Sequence, residues 1–407
     1  MNLIDRIPPL LTDKELIKAL SKQPHFDSNM PLTKSERLLR LLDIYDIYIP
    51  TKMSTEIYNT IYFSLVRSYQ RKSKLYAEFQ MNQNRRVING ASITSGVNGG
   101  DCSLLVGESG LGKSQSIKRV VDIISYNSVI EIDNPYCSII PILVVEASPT
   151  VSIKGFFFEI LRVIDNILGT NYYQSNNRTT INNDMLLGSV SNALLLHCGC
   201  LIIDEVDRLV NNKKSITYVN YITQLINMCG VSVIFVGTPK SLEFFQQTEY
   251  LARRSMGCVY RAMPYGDEYY NFCNQLFHYQ YTTYQSELNS ELMREFFKYT
   301  NGNIAETVQL FVETQKWAIN NDYERIDTHS INKAFSQSMS IMTPFIEFKK
   351  TTLPPPHYTE NISIPTKEKI IIENDSIFST LPLKSDKDIE KAISILSQSI
   401  KVEVIQI

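Results

Sequence analysis

The sequence LLVGESGLGKSQSIKRV, residues 104–120, is the most informative stretch of the chain. It fits the pattern G-x-x-x-x-G-K-[ST], in which small residues let the backbone curl until successive N–H groups point inward at phosphate oxygens. The apolar run CSLLVG precedes the loop, and the helical pattern SQSIKRVVDII follows it. The loop therefore connects a strand to the amino end of a helix, whose dipole also attracts phosphate. A glycine-rich turn that arose by chance would lack this setting.

The loop supplies one residue for phosphate and one for a metal. We expect Lys113 to reach the β- and γ-phosphates of a nucleotide and the Ser114 hydroxyl to bind magnesium. The predicted nucleotide site of the loop comprises Gly107, Glu108, Ser109, Gly110, Leu111, Gly112, Lys113, Ser114 and Gln115.

A second stretch, CLIIDEVDRL, places two adjacent carboxylates at the end of an apolar strand. Magnesium needs a carboxylate ligand, and hydrolysis needs a group that activates water. We assign Asp204 to the metal of the bound nucleotide, together with Ser114, and Glu205 to the role of general base. The alternative is that both acidic residues only cap the helix that follows.

Two further stretches contribute candidate catalytic residues. The apolar strand in VSVIFVGTPKSL ends in Thr238, whose hydroxyl could bond the attacking water or the γ-phosphate; the alternative is an ordinary Thr-Pro turn. The stretch YLARRSMG contains Arg253 and Arg254, either of which could enter the nucleotide site of a neighbouring subunit and stabilise the transition state. Most paired arginines are instead solvated surface charges.

The composition is that of a soluble globular protein. The chain has 407 residues, 43% of them apolar and 20% charged, and a formal net charge of -2. Such a charge gives no general attraction to nucleic acid or membrane, so any DNA binding requires a local basic face. The amino terminus lacks the pattern of a signal peptide, and no window approaches the ~18 consecutive apolar residues of a membrane span. We therefore expect a cytoplasmic protein.

The chain divides into four predicted parts. Residues 1–95 form an amino-terminal arm with helices. Residues 96–265 alternate apolar runs with amphipathic helical patterns, which predicts an α/β domain with a parallel five-stranded sheet flanked by helices. Residues 266–342 are predicted to form a smaller all-helical lid domain, and residues 343–407 a proline-containing linker and tail.

The order of these parts resembles the AAA+ ATPases, P-loop NTPases whose α/β domain is followed by a helical lid. Within them, the chain is most similar to the TnsC/TniB family, regulators of DNA transposition in TnsABC-type transposons (CRISPR-associated or related). The stretches GESGLGKS, LLLHCGCLIIDEVDRL, GVSVIFVGTPKSLEFF and LARRSMG carry the resemblance. It covers roughly residues 50–335.

The resemblance implies a particular function. It implies an ATPase that uses ATP and magnesium, assembles into rings (hexamer-like or heptameric) or filaments on duplex DNA, and disassembles on hydrolysis. Its implied partners are a TnsB-like transposase, a TnsA-like endonuclease subunit and a target selector of the TniQ/TnsD type. In longer members of the family the carboxyl-terminal tail contacts transposase components, and residues 344–407 would suit that role here.

DNA contact requires lysine or arginine at phosphates, independently of sequence. The first candidate is Lys154, which we expect in a loop that leaves the second strand and faces a ring pore. The others are Lys118 and Arg119 after the phosphate loop and Arg178 in a polar loop. The alternative is that these cations are scattered over a solvated face.

The chain departs from the family pattern at two positions. Many AAA+ lids carry a second-sensor arginine in a Gly-x-x-Arg motif, but TNGNIAETVQL has Asn303 and no arginine. Many relatives also have asparagine where Thr238 stands. Both departures would suit slow ATP turnover, in which hydrolysis times a switch and does not drive a motor.

Two other functions remain as alternatives. A STAND-like signalling or scaffold ATPase would not bind DNA, but such proteins usually append a long repeat array that is absent here. A helicase loader or replication initiator would normally bring a winged-helix domain after the lid, for which residues 341–407 are too short and too rich in proline. A metabolic kinase is disfavoured because no acceptor site is evident.

Overall fold

The computed structural model describes residues 3–27, 31–72, 74–92, 100–125, 129–133, 136–147, 152–210, 215–242, 245 and 255–342. Two sequence predictions lie outside these ranges. They concern the candidate arginines Arg253 and Arg254, and the linker and tail at 343–407.

Within the described residues, six strands form the central sheet. They are β1 (Cys102–Gly107), β2 (Ile130–Asp133), β3 (Tyr136–Glu146), β4 (Cys198–Asp204), β5 (Ser232–Gly237) and β6 (Ser255–Tyr260). Their order across the sheet is β2-β3-β4-β5-β1-β6, and every neighbouring pair is parallel except β2 and β3. All residues of β1, β4 and β5 are buried, as expected for strands covered on both faces.

The predicted number of five strands is wrong by one. The additional strand is β2, which pairs antiparallel with the start of β3, from Ile130 opposite Ile139 to Asp133 opposite Tyr136. Its 4 residues, IEID, alternate apolar and acidic side chains and so lack the continuous apolar run on which the prediction depends. The other five strands are parallel, as predicted.

Helices cover both faces of the sheet and continue after its last strand. The α-helices are α1 (Asp13–Leu20), α2 (Lys34–Arg40), α3 (Lys52–Arg71), α4 (Lys74–Ile88), α5 (Lys113–Ile124), α6 (Ile153–Leu168), α7 (Tyr172–Asn176), α8 (Asn183–His197), α9 (Asp207–Val210), α10 (Ser215–Cys229), α11 (Asp267–Leu276), α12 (Ser290–Thr300), α13 (Ile304–Asn320) and α14 (Thr328–Ala334). We call α11–α14 the lid. None of the described helices has both the length and the apolar character that a membrane crossing needs.

Each face of the sheet has its own core. On one face α6, α8 and α10 bury Phe157, Leu194 and Ile222 against the strands. On the other face α3 and α5 pack against alternate strand residues. Four residues of α3, spaced four apart in the sequence, form an apolar stripe that is buried in this second core: Ile57, Ile61, Leu65 and Tyr69.

The lid has a third core, which it shares with the amino-terminal part of the chain. Phe296 and Phe311 are fully buried at its centre. Leu41 and Ile44, from the 3-10 helix Leu41–Asp46, pack into the same core. The segment 41–49 is therefore fixed to the lid by apolar contacts, whereas Ile7, Leu16 and Leu20 pack into the second core.

A partly buried ion pair strengthens this attachment. The Arg37 guanidinium donates to both carboxylate oxygens of Glu324, at 2.5 and 2.8 Å, and Glu324 also accepts from the backbone N–H of Thr283 at 2.9 Å. Hydrogen bonds from Arg37 lower the pKa of Glu324 to about 2. Such a paired, hydrogen-bonded carboxylate stabilises the folded state only while it is ionised.

We predict that replacing this carboxylate destabilises the protein in a pH-dependent way. Glu324→Gln should lower the free energy of unfolding at pH 7 by about 1–3 kcal/mol, because a charge-assisted pair is lost. The folded pKa lies below the ordinary value of 4.5, so the stabilisation is complete above pH 4.5 and disappears as the pH falls towards 2. The measurement is urea unfolding of the unaltered protein and of Glu324→Gln between pH 7 and pH 3. The difference between their free energies of unfolding should become smaller as the pH falls.

The matched control is Glu313→Gln, which removes a lid carboxylate paired with the half-exposed Lys316 at 3.1 Å. Its effect should stay below about 0.5 kcal/mol at every pH. Equal losses in the two variants would contradict the role assigned to the Arg37–Glu324 pair.

Candidate nucleotide-binding site

The phosphate loop lies between β1 and α5, at the carboxyl edge of the sheet. Gly110 and Gly112 have φ angles of +83° and +89°, in the left-handed region that favours glycine. Gly112 is the residue that precedes the first turn of α5, so the loop ends at the positive end of this helix. The backbone thus has the curled form that the sequence predicts for phosphate binding.

Lys113 is buried behind the loop. Its Nζ donates to the carbonyl oxygens of Gly107 and Glu108, at 2.7 Å each. Burial lowers the pKa of Lys113, while the carboxylates of Asp204 and Asp207 act in the opposite direction. The ammonium group is thus already at the loop, held by carbonyl acceptors that a phosphate oxygen can replace.

Ser114 and Asp204, the two predicted magnesium ligands, are in direct contact. The Ser114 hydroxyl donates to Asp204 Oδ2 at 2.6 Å. Asp204 ends β4, and its Oδ1 accepts the backbone N–H of Glu205 at 2.8 Å, which fixes the carboxylate. A hydroxyl and a carboxylate are hard oxygen donors, and magnesium in nucleotide sites takes few protein ligands besides phosphate and water. The residues therefore fit magnesium.

Glu205 has an unusual backbone conformation and a nearby cation. Its φ angle is +57°, which is uncommon for a residue with a side chain and is typically found at functional sites. Its carboxylate forms an ion pair with Arg208, three residues later in α9. Both side chains are more than one third exposed, so this pair is weak and can be broken at little cost.

Thr238 is the polar residue that follows β5, and Asp207 fixes its position. The Thr238 backbone N–H donates to Asp207 Oδ1 at 3.0 Å. Within the described part of the chain, the Thr238 Oγ1 atom is buried and has no hydrogen-bond partner. Burying an unpaired hydroxyl is costly, so this atom is suited to bond a water or a phosphate oxygen at the site.

One cleft of about 660 Å³ contains these groups. It is lined by Ser109–Gln115 of the loop, by Asp204 and Glu205, and by Thr238. This volume is within the range of small-molecule sites. The predicted magnesium and general-base residues therefore lie around a single cavity with Ser109–Gln115, while Gly107 and Glu108 of the predicted nucleotide site are not in its lining.

The remaining walls were not predicted from the sequence. Arg208 and Asp207 line the cleft beside the carboxylates, although both stand in the stretch CLIIDEVDRL. An apolar wall comes from two distant segments: Tyr45, Ile47, Tyr48, Ile49 and Met53 before the sheet, and Phe272, Leu276, Ile304 and Val308 in the lid.

Comparison with known proteins identifies the part of the chain that carries this site. Residues 97–258 match the family model described as bacterial TniB protein. We call residues 97–258, which this model matches, the TniB segment. This TniB segment runs from the approach to β1 into β6, and its sheet, its phosphate loop and the lid that follows agree with the predicted AAA+ ATPase fold.

The solved structures with a similar fold have low sequence identity to this chain. The Aeropyrum pernix ORC1 protein in complex with DNA has 13% identity and a TM-score of 0.42, with 84% of this chain and 83% of that chain covered. Drosophila ORC bound to DNA has 10% identity and a TM-score of 0.44, with 99% and 86% covered. We infer no ligand or partner from such values. No curated protein matches the sequence.

The structure gives Lys154 of the TniB segment a different position from the predicted loop. Ser152 caps α6 by accepting the Gly155 N–H at 3.2 Å, so Lys154 lies in the first turn of a helix. Its Nζ donates to the carbonyl of Ile181 at 3.0 Å. Arg178 is exposed three residues before Ile181, which places both cations in the same region.

The other two candidate DNA contacts differ from each other. Arg119 donates to the carbonyls of Ala19, Leu20 and Ser21 at the end of α1, which accounts for this side chain without DNA. Lys118 is exposed on α5. Neither these residues nor Lys154 and Arg178 line the nucleotide cleft.

The geometry of the loop generates a prediction for Gly110. A Cβ atom at this position would lie 2.6 and 2.9 Å from the Oδ1 and Nδ2 atoms of Asn303, in addition to the left-handed φ. Gly110→Ala should therefore raise the Kd for ATP by about tenfold or more, which corresponds to about 1.4 kcal/mol. The measurement is titration with a fluorescent ATP analogue.

Gly169→Ala is the control, because Gly169 has a φ of +69° but no atom within 4 Å of the position that a Cβ would occupy. Both variants should lose about 1–2 kcal/mol of stability from the left-handed backbone. Only Gly110→Ala should lose affinity. An unchanged Kd in Gly110→Ala would show that the loop adapts to a side chain and that its glycine is not needed.

Proposed function

We propose that the protein binds ATP with magnesium in this cleft and hydrolyses it to ADP and phosphate. The observation that carries the proposal is the Ser114–Asp204 hydrogen bond on the wall of a cleft that the phosphate loop lines. Ser114 and Asp204 would hold magnesium, which neutralises charge on the β- and γ-phosphate oxygens when bound. Lys113 would exchange its carbonyl acceptors for phosphate oxygens.

The residues at the strand ends would carry out the chemistry. Glu205 accepts a proton from the attacking water, whose oxygen forms a bond to the γ-phosphorus while the bond to the bridging oxygen of ADP breaks. The Thr238 hydroxyl orients this water or the γ-phosphate. Arg208 competes for the Glu205 carboxylate, and release from this weak, readily broken pair precedes proton transfer.

The predicted arginines suggest how turnover is completed. Arg253 and Arg254 precede β6 in the sequence, and we propose that one of them enters the nucleotide site of a second copy. An arginine supplied in this way can speed phosphoryl transfer about a thousand-fold or more. Hydrolysis would then be coupled to assembly.

We further propose that the assembly forms on duplex DNA and regulates transposition. The match of the TniB segment to the family model supports this role. In this proposal the protein links a TniQ/TnsD-like target selector to a TnsB-like transposase, with a TnsA-like subunit as a further partner, and hydrolysis dissolves the assembly. Lys154, Arg178 and Lys118 are the proposed phosphate contacts.

Electron microscopy of the purified protein with duplex DNA tests the assembly. Regular rings or filaments should form with a non-hydrolysable ATP analogue and DNA together, and should be absent with ADP. Single particles in every condition would contradict the proposal and favour a STAND-like scaffold ATPase.

We predict that Glu205→Gln separates binding from hydrolysis. The amide keeps the size of the side chain but cannot accept the proton, so the Kd for ATP should stay within about twofold while the rate falls about 100-fold or more. The control is Glu295→Gln in the lid, which should change neither quantity. Unchanged hydrolysis in Glu205→Gln would exclude this residue as the general base.

A second variant tests the DNA contact. Lys154→Glu should weaken binding of duplex DNA at every sequence and reduce the slope of log K against log salt by about one. The lid variant Lys316→Glu, with the same change of charge, should bind DNA as the unaltered protein does. If both variants bind equally well, Lys154 does not contact DNA.

A further inference from the structure

The amino end of α13 in the lid bonds directly to the phosphate loop. The side-chain amide of Asn303 donates from Nδ2 to the carbonyl oxygen of Ser109 at 2.9 Å. The backbone N–H of Ala305 donates to the carbonyl oxygen of Gly110 at 2.9 Å. Ala305 is the third residue after Gly302 and so stands where a Gly-x-x-Arg motif would have its arginine.

Asn303 has a second bond that makes its position specific. Its Oδ1 accepts the N–H of Glu306 at 3.2 Å and so caps α13, while its Nδ2 holds the loop. The residue is only 1% exposed. One side chain thus fixes the start of the lid helix and the tip of the phosphate loop to each other.

The same end of the helix is also tied to the connection that follows β6. Met263 donates its N–H to the Gly302 carbonyl at 3.0 Å. A Cβ atom on Gly302, whose φ is +75°, would lie 1.9 Å from the Met263 carbonyl oxygen. The start of α13 is therefore held against the connection that follows β6 as well as against the phosphate loop.

The two bonded carbonyls belong to peptide units that the phosphates would use. In a planar trans peptide the C=O and N–H groups point in opposite directions. The Ser109 carbonyl shares its peptide unit with the Gly110 N–H, and the Gly110 carbonyl shares its unit with the Leu111 N–H. An anion that accepts from these two N–H groups polarises and orients the same peptides whose oxygens hold the lid.

We propose that Asn303 is a positioning residue that couples phosphate binding in the loop to docking of the lid. The inference rests on the proposed nucleotide function and deepens it. The coupling passes through the loop backbone and not through an arginine on the γ-phosphate. ADP and ATP therefore dock the lid equally, and discrimination between them falls to Glu205, Thr238 and a neighbouring chain.

Hydrogen–deuterium exchange with the full chain tests this coupling. In the unaltered protein, magnesium with ADP or with a non-hydrolysable ATP analogue should slow exchange about tenfold or more both in the loop, 108–114, and at the start of α13, 304–310. In Asn303→Ser, which keeps a capping side chain but cannot reach Ser109, loop protection should remain and lid protection should disappear. The Kd for nucleotide should rise about fivefold, the value of one hydrogen bond.

Asn289→Ser is the matched control, since Asn289 caps the lid helix α12 through Leu292 at 2.8 Å and does not line the cleft. With nucleotide, Asn289→Ser should show slowed exchange both in the loop, 108–114, and at the start of α13, 304–310. Asn303→Asp keeps the size of the side chain and the cap of α13, but replaces the amide donor by an acceptor. It should behave like Asn303→Ser. Agreement of the two variants would show that the effect comes from the lost donor and not from misfolding.

Three outcomes would overturn the inference. Lid protection that persists in both Asn303 variants excludes Asn303 as the link, while the ATP site stands. Slowed exchange in the lid with the ATP analogue but not with ADP means that docking of the lid depends on the γ-phosphate. Absence of loop protection in the unaltered protein removes the nucleotide function itself, and the coupling with it.

Discussion

The hydrogen bond from Ser114 to Asp204 is the contact on which the proposed chemistry depends. It joins the loop after β1 to the end of β4, with β5 between them in the sheet. Parallel pairing places the carboxyl ends of all three strands at one edge, so a hydroxyl, a carboxylate and the Thr238 backbone meet although they are far apart in sequence. An antiparallel partner at β5 would have moved Thr238 to the opposite edge.

The sheet edge alone does not make a nucleotide site. The apolar wall requires the amino-terminal part of the chain, where the Tyr48 hydroxyl bonds Ser54 and Ser116, each at 2.7 Å. This places Tyr48 between α3 and the helix of the phosphate loop. The lid lines the same cleft with Phe272, Leu276, Ile304 and Val308. The lid and residues 37–49 share a core and the Arg37–Glu324 pair, which hold these two apolar parts of the lining together.

Much of this arrangement could be predicted from local sequence patterns. The loop, the apolar strands that lead to Asp204 and Thr238, and the helical character of the lid follow from short-range periodicity and spacing. The antiparallel strand β2 escapes such a prediction because its 4 residues alternate. The predicted loop position of Lys154 is wrong because Ser152 caps a helix that already includes this lysine.

Long-range partners could not be predicted in the same way. Nothing near Arg119 in the sequence shows that its guanidinium caps α1, about a hundred residues earlier. The spacing of Asn303 and Glu306 signals a helix start, but not that Ser109 is its second partner. Arg208 stands close to Glu205 in the sequence, but the positive φ of Glu205, +57°, has no signal in the residues around it.

The central claim is that this cleft hydrolyses ATP only when a second copy completes it. The most direct measurement is the ATP turnover per chain as the protein is diluted a hundred-fold, with and without duplex DNA. The account predicts that turnover per chain falls on dilution and that DNA restores it. A constant turnover per chain at all concentrations, with no effect of DNA, would contradict the account.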